Sequence, residues 1–193
     1  MNICVFSSSS NAIADVYFQE AIALAKLIAQ ENFCLINGGS NVGLMDTVTR
    51  EARVNGAKTI GVIPQKLHDF NLASAHAHEI IVSGDMMERK FKMRELSDAF
   101  IALAGGFGTL EEILEVITLK QLSYHNKAVV FINTNGFYDD LFRQFEKSYD
   151  EKFAKESYRR LYFVAHNSKE AMNYIKNYQP EETVNKWYDV PKR

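Results

Sequence analysis

The sequence predicts an α/β protein built on a doubly wound parallel sheet of about seven strands with helices on both faces. Short apolar runs alternate along the chain with segments whose apolar residues recur at helical spacing. The apolar runs are nearly continuous, as in strands that are buried on both faces of a sheet. Right-handed crossovers between such strands give a Rossmann-like arrangement, in which ligands bind outside the carboxyl ends of the strands.

Each element of this prediction has its own stretch of sequence. The predicted strands span residues 3–6, 33–37, 58–64, 79–83, 99–104, 128–133 and 161–165. The predicted helices span residues 15–30, 44–54, 86–96, 138–148 and 169–177, and another follows the glycine turn at residues 105–108. Residues 65–77 have no clear periodicity and are predicted to form a loop or insertion.

Length and composition limit the function classes. We expect one domain over residues 1–180 and a polar tail over residues 181–193, where Trp187 and Tyr188 offer an apolar contact. The net charge of −2 without a basic stripe argues against a nucleic-acid partner. No secretory signal or membrane-length apolar run is seen, so no membrane partner is expected. Cys4 and Cys34 lie in apolar runs and are predicted to be free thiols in a reducing cytoplasm.

A glycine-rich turn between a predicted strand and helix is the strongest functional signal. It holds Gly105, Gly106, Gly108 and Thr109. A helix N-terminus has unpaired N–H groups and partial positive charge, and glycines let the backbone approach a ligand closely, so the turn predicts a phosphate site. Thr109 is expected to cap the helix and donate to a phosphate oxygen. An ordinary strand-to-helix turn with a threonine cap is the alternative.

A second glycine loop, residues 38–43, follows the second predicted strand and contains Gly39 and Ser40. Neither loop is a Walker A or a complete dinucleotide fingerprint, so the two together predict a mononucleotide or sugar phosphate held between them. Ser8, in the serine run after the first strand, is a further candidate ligand for phosphate or ribose. Simple turn chemistry is its alternative.

Two glutamates follow the phosphate turn. Glu111 and Glu112 are expected in the first turn of the helix, where acidic side chains stabilise the dipole. Consecutive helical residues point about 100° apart, so only one of them can face the pocket. The preceding helix offers cations, of which Lys90 and Lys92 are expected on a solvated face.

Three segments resemble a known family. "GGSNVGLM" (residues 38–45), "MMERK" (86–90) and "AGGFGTLEE" (104–112) are similar in order and spacing to the motifs of the Lonely Guy family, the cytokinin riboside 5′-monophosphate phosphoribohydrolases. Many bacterial members have carried the label "lysine decarboxylase". The similarity extends over roughly residues 1–180.

The resemblance implies an activity and a set of residues. Members hydrolyse the N-glycosidic bond of a nucleoside 5′-monophosphate, such as AMP or a cytokinin nucleotide, to free base and ribose 5-phosphate. Arg89 and Glu112 match the catalytic pair. The substrate-binding candidates are Gly105, Gly106, Gly108, Thr109, Ser8, Gly39, Ser40 and Met86. No cofactor or metal is expected, and a homodimer with its site near the subunit boundary is implied.

Three positions depart from the family pattern. Ala104 stands where the motif has proline, Met87 where it has histidine, and Asp46 where a glycine follows Gly-Leu-Met. Arg89 and Glu112 are both kept, so the departures bear on base preference and rate more than on the phosphate site.

Other interpretations remain open at this stage. A non-catalytic module of the same fold would bind AMP without cleaving it. A decarboxylase would need pyridoxal phosphate on a lysine Schiff base, and no lysine is evidently placed for it. His76 and His78 would share a side of an extended segment, but without a third ligand a loop pair is preferred over a metal site.

Overall fold

The computed structural model describes residues 1–180. The predicted polar tail, residues 181–193 with Trp187 and Tyr188, lies outside the described residues.

The described residues form one seven-stranded sheet in the order β4-β3-β2-β1-β5-β6-β7, and all neighbouring strands are parallel. The strands are β1 (Asn2–Phe6), β2 (Cys34–Asn37), β3 (Thr59–Pro64), β4 (Glu79–Ser83), β5 (Ala99–Ala102), β6 (Ala128–Ile132) and β7 (Phe163–Ala165). The predicted doubly wound α/β fold is therefore confirmed.

Helices cover both faces of this sheet. They are α1 (Asp15–Gln30), α2 (Gly43–Val54), α3 (Gln65–Asp69), α4 (Met86–Leu96), α5 (Phe107–Gln121), α6 (Asp139–Asp150) and α7 (Ser168–Asn177). No helix within residues 1–180 is long and apolar enough to cross a bilayer.

Successive residues of a strand pack into two separate hydrophobic cores, one on each face of the sheet. Ile3 and Val5 of β1 pack in the cluster under α1, α2 and α7. Cys4 and Phe6 point the other way, into the cluster under α4, α5 and α6. Because strand side chains alternate between faces, a strand with apolar residues at every position must be covered on both sides.

Most sequence-predicted elements agree with the structure to within a few residues, with one clear error. The segment predicted to be only loop begins with the short helix α3, Gln65–Asp69. Five residues are fewer than two helical turns, too few for an apolar repeat to be detected. The predicted strand over residues 99–104 also ends earlier, at Ala102.

The direction of winding reverses between β1 and β5. The chain proceeds from β1 outward to β4, then crosses back to start β5 on the other side of β1. The two strands are adjacent at their carboxyl ends, where Phe6 pairs with Ala102. A crevice opens at such a reversal, because the loops after the two strands leave toward opposite faces.

Candidate functional site

The glycine turn after β5 presents open backbone at the start of α5. The N-cap of α5 is Gly106, and no side chain caps it. A Cβ added at Gly106 or at Gly108 would meet no atom within 4 Å. Packing therefore does not demand these two glycines, whereas an uncovered backbone suits close approach by a ligand.

The prediction that Thr109 caps α5 is wrong. Gly106 is the cap, and Thr109 lies three residues inside the helix with only 4% of its surface exposed. The threonine instead packs over the turn, because a Cβ at Gly105 would lie 2.1 Å from Thr109 Oγ1. Gly105 is thus required by packing, unlike its two neighbours in the motif.

The second glycine loop is held by its own hydrogen bonds. Gly39 adopts a positive φ of 69°, and its N–H donates to Asn37 Oδ1 at 2.9 Å. The Ser40 N–H donates to Met45 Sδ at 3.3 Å. The carbonyl of Gly39 accepts from the Ser74 N–H at 2.8 Å, which ties the loop to the segment after α3.

Ser8 connects the two glycine loops. Its N–H donates to the carbonyl of Ala104 at 3.3 Å, directly before the turn at α5. Its own carbonyl accepts from the Met45 N–H at 3.3 Å, in the first turn of α2. The three loops that the sequence singled out after β1, β2 and β5 therefore meet at the reversal point of the sheet.

A buried ion pair lies beside these loops. Arg89 Nη2 of α4 is 2.8 Å from Glu112 Oε1 of α5, and the two side chains are 8% and 7% exposed. The other guanidinium contact is with Met86, whose Sδ is 3.6 Å from Nη1. Arg89 Nε is buried and has no hydrogen-bond partner within residues 1–180.

Gly38 makes room for the guanidinium. A Cβ at this position would lie 2.1 Å from Arg89 Nη2 and 2.9 Å from Cζ. Sequence reasoning placed Gly38 in the second loop but did not assign it to the site. The clue in the sequence was the pair of adjacent glycines. Of the two, only Gly39 has a positive φ, so Gly38 must be glycine for a reason other than backbone conformation.

The Glu112 carboxyl is poised to titrate near neutrality. Burial raises its pKa to about 7, and Arg89 opposes that rise. Glu111 and Glu115 raise the pKa further by charge repulsion, whereas Lys90 lowers it. A carboxyl with this pKa can hold or release a proton at neutral pH, as a general base must.

Two predictions about neighbouring charges need correction. Because α5 begins at Phe107, Glu111 and Glu112 lie in its second turn and not in the first. Lys90, expected on a solvated face, has a side chain only 15% exposed and pairs with Glu111 and with Glu115. Only Glu112 of the two glutamates points inward, as the helical geometry predicted.

The three departures from the motif occupy different surroundings. Ala104 is buried at the entry to the turn. Met87 is 77% exposed, whereas Arg89, two residues later on the same helix, is buried. Asp46 accepts from Ser74 Oγ at 2.6 Å, so its charge is directed to the segment after α3.

The two histidines of the candidate metal pair have different partners. His78 Nδ1 is 2.9 Å from Thr59 Oγ1, and His76 Nε2 is 4.0 Å from Asp46 Oδ2.

Fold and site together define a Rossmann-like α/β protein whose glycine loops meet at the reversal of its sheet, the place where such folds bind ligands. A family model described as "Possible lysine decarboxylase" matches residues 45–175. The chain belongs to this family, the Lonely Guy family.

Curated relatives are similar over almost the whole chain. Cytokinin riboside 5′-monophosphate phosphoribohydrolase LOG7 of Arabidopsis thaliana is 39% identical over 179 residues, which cover 93% of this chain and 82% of the relative. A probable enzyme of the same name, LOGL2 of Oryza sativa subsp. japonica, is 37% identical over 204 residues, covering 98% and 84%.

Solved structures share the fold. The molybdenum cofactor binding protein of Rippkaea orientalis superposes with a TM-score of 0.70 at 27% identity, covering 91% of this chain and 94% of that one. The Moco carrier protein of Chlamydomonas reinhardtii gives a TM-score of 0.68 at 24% identity, with coverage of 91% and 94%.

Proposed function

We propose that this protein hydrolyses the N-glycosidic bond of a nucleoside 5′-monophosphate and releases a free base and ribose 5-phosphate. The observation that carries the proposal is the buried Arg89–Glu112 pair, 2.8 Å apart, beside the open N-terminus of α5. Relatives named as phosphoribohydrolases of a nucleoside monophosphate support the same chemistry.

The phosphate is assigned to the turn before α5. A Cβ added at Gly106 or at Gly108 would meet no atom within 4 Å, and the helix dipole adds partial positive charge at this turn. Thr109 is assigned a hydroxyl contact to the same group. A phosphate held away from the bond being broken fixes the sugar for attack.

The sugar and base are assigned to the second half of the crevice. The candidates are Ser8, Gly39, Ser40 and Met86. Ser8 joins the two loops, and Met86 Sδ lies near the Arg89 guanidinium, so both border the proposed path of the substrate.

Glu112 and Arg89 are assigned the chemical step. As the C1′–N bond breaks, its electron pair leaves with the base and positive charge develops on the sugar. Ionised Glu112 stabilises that charge and takes a proton from the water whose oxygen bonds to C1′. The leaving base takes up a proton from solvent, and Glu112 returns its proton to solvent before the next turnover. Arg89 orients the carboxylate through a charge-assisted hydrogen bond.

A non-catalytic binding protein of the same fold is the second candidate. It is favoured by the solved relative at 27% identity, which is titled a molybdenum cofactor binding protein. Such a protein would bind a phosphate-bearing ligand at α5 and leave it intact.

A decarboxylase, as the family description suggests, would form a Schiff base between pyridoxal phosphate and a neutral lysine amine. Lys90 is the lysine adjacent to Arg89 in sequence. Its bond to Glu111 raises the pKa of Lys90, which keeps the amine charged. The residues at this site therefore do not fit that cofactor.

We also propose a cytoplasmic homodimer. Cys4 and Cys34 are free thiols, which suits a reducing compartment. Close to the site, α4 exposes Met87 and Phe91 at 77% and 55%, and such apolar side chains together favour a protein contact.

Incubation with a panel of nucleoside 5′-monophosphates, followed by chromatography of the free base, tests the function. We expect release by the parent and at least a 100-fold slower release by Glu112→Gln, which keeps the shape but cannot accept a proton. Adenosine should be a poor substrate compared with AMP. Binding of AMP without any release of base would favour the carrier interpretation, and equal turnover of adenosine and AMP would contradict the phosphate anchor.

A further inference from the structure

Helices α4 and α5 are joined by ion pairs that extend beyond the Arg89–Glu112 contact. Glu115 is the shared acceptor: its Oε2 lies 2.7 Å from Arg94 Nη1 and 3.4 Å from Lys90 Nζ. Glu115 therefore bridges two cations of α4 that stand one helical turn apart.

Helix α4 has little apolar contact to hold it in place. Its buried residues are Arg89 and Met93, and Leu96 packs partly buried against the same core as Met93. A helix without a wide apolar face depends on polar contacts for its position. At its C-terminal end the carbonyl of Arg94 accepts from Lys127 Nζ at 2.9 Å, and the bridge at Glu115 supplies the contact to α5.

The residues of the Glu115 bridge lie close in sequence to the two members of the buried pair. Lys90 follows Arg89 directly, and Glu115 follows Glu112 by three residues, so it lies on the same side of α5. A shift of α4 along α5 would therefore change the Arg89–Glu112 distance.

We propose that Glu115 is a positioning residue for the reaction: by bridging Lys90 and Arg94 it sets the separation of α4 and α5 and so aligns Arg89 with Glu112. This inference rests on the proposed phosphoribohydrolase function. The Glu115 side chain is one-third exposed and lies beside the two cations of α4.

The bridge also contributes to the electrostatics of the site. The charged and titratable groups that face Glu112 are Arg89 and Lys90 from α4, Glu111 and Glu115 from α5, and Cys4 from β1. The negative charge of Glu115 raises the pKa of Glu112. Removing that charge alone would lower the pKa of Glu112, whereas withdrawal of Arg89 from the carboxyl would raise it, and Arg89 has the larger influence of the two. A loss of packing that exposed Glu112 would instead lower its pKa, so the direction of the shift distinguishes positioning from packing.

Glu115→Gln tests the proposal in the full-length protein. We expect kcat for AMP to fall about tenfold with KM within about twofold, because a small misalignment slows the step more than it weakens binding. The midpoint of the pH profile should move up, because a misaligned Arg89 no longer opposes the effect of burial on the pKa of Glu112. Arg94→Gln, which breaks the same bridge from α4, should also lower kcat.

Glu31→Gln is the matched control. Glu31 pairs with Lys176 at 2.6 Å, with a side chain 32% exposed against 33% for Glu115, but it lies on the opposite face of the sheet. It should leave kcat and the pH midpoint unchanged.

A carboxyl NMR titration of Glu112, assigned with Glu112→Gln, reads the shift without turnover. An active parent with an unaltered Glu115→Gln profile would overturn the positioning role and leave the proposed function standing. A parent that cleaves no nucleotide would overturn the function, and an unmoved Glu112 titration would then overturn the electrostatic link as well.

Discussion

At the scale of single residues, the role proposed for Glu112 predicts the pH range over which the protein is active. Burial raises its pKa to about 7 from an ordinary 4.5. A raised carboxyl pKa means that the acid is protonated below neutrality and ionised above it. Since the proposed step needs the ionised form, we expect kcat for AMP to rise with pH through about 7 and to level off above it.

A pH series of kcat under saturating AMP checks this expectation. A rise centred near 4.5 would show that Glu112 is not the titrating group, or that substrate removes the effect of burial. The inactive Glu112→Gln protein supplies the baseline for any turnover that does not depend on the carboxyl.

Gly38 offers a second test at residue scale. In Gly38→Ala the new methyl would lie 2.1 Å from Arg89 Nη2, so the guanidinium must move away from Glu112. We expect kcat to fall by about 100-fold, as for other small displacements of reacting groups. The control must be a glycine whose position can accept alanine. Gly56 is unsuitable because its φ of 96° is one that alanine rarely adopts. At Gly108 an added Cβ would meet no atom within 4 Å and φ is not positive.

Gly108→Ala therefore serves as the comparison for folding. It should unfold at the parent temperature, and Gly38→Ala should lose activity well before it loses its fold. Unfolding of Gly38→Ala at ordinary assay temperatures would mean that the glycine serves the core and not the arginine.

At the scale of elements, the turn before α5 divides its glycines into two kinds. A Cβ at Gly105 would collide with Thr109, whereas a Cβ at Gly106 would meet open space. We expect Gly106→Ala to raise KM for AMP at least about tenfold while the melting temperature stays close to that of the parent, since one charge-assisted hydrogen bond is blocked. Gly105→Ala should instead lower the melting temperature.

Thermal unfolding and steady-state kinetics on the two alanine variants separate these effects. If Gly106→Ala had a parental KM, the phosphate would have to bind elsewhere.

The sequence predicted the presence of this turn correctly, but not the start of α5 or the packing of Thr109. The strand, the glycines and the helix were evident from composition, because apolar strands and glycine turns leave strong local signals. The start of α5 was predicted too late, since Thr109 is a common cap residue and its burial over Gly105 depends on tertiary packing. The role of Gly38 was missed for the same reason: it depends on Arg89, fifty-one residues later in the chain.

At the scale of the whole molecule, the fold followed from the periodicity of the chain. The inner strands are buried on both faces, so their apolar runs are continuous and easily recognised, whereas the edge strand β4 is largely exposed or half-buried. The strand order is less evident from sequence, because it depends on which way each crossover turns. The loops of the candidate site, and Arg89 and Glu112, could be predicted from the resemblance of the motifs. The Lys90–Glu115–Arg94 bridge could not be predicted from sequence, because it forms only when α4 and α5 pack together.

The exposed apolar side chains of α4 give a prediction for the assembly. Phe91→Glu places a charge in the surface beside Met87, so we expect it to convert the proposed dimer to a monomer. Light scattering during size-exclusion chromatography measures the mass directly. Phe153→Glu, at a phenylalanine that is 85% exposed outside α4, should leave the assembly unchanged. A parent that already runs as a monomer would contradict the proposed dimer.

The backbone of Ser8 touches both the Ala104 side and the Met45 side of the crevice, through hydrogen bonds of 3.3 Å each. One short stretch of chain thus fixes the spacing of two walls that are remote in sequence. An insertion of even one amino acid in the serine run would displace both walls at once. Natural variants of this protein should therefore tolerate insertions around α3 far more readily than in the first connection after β1.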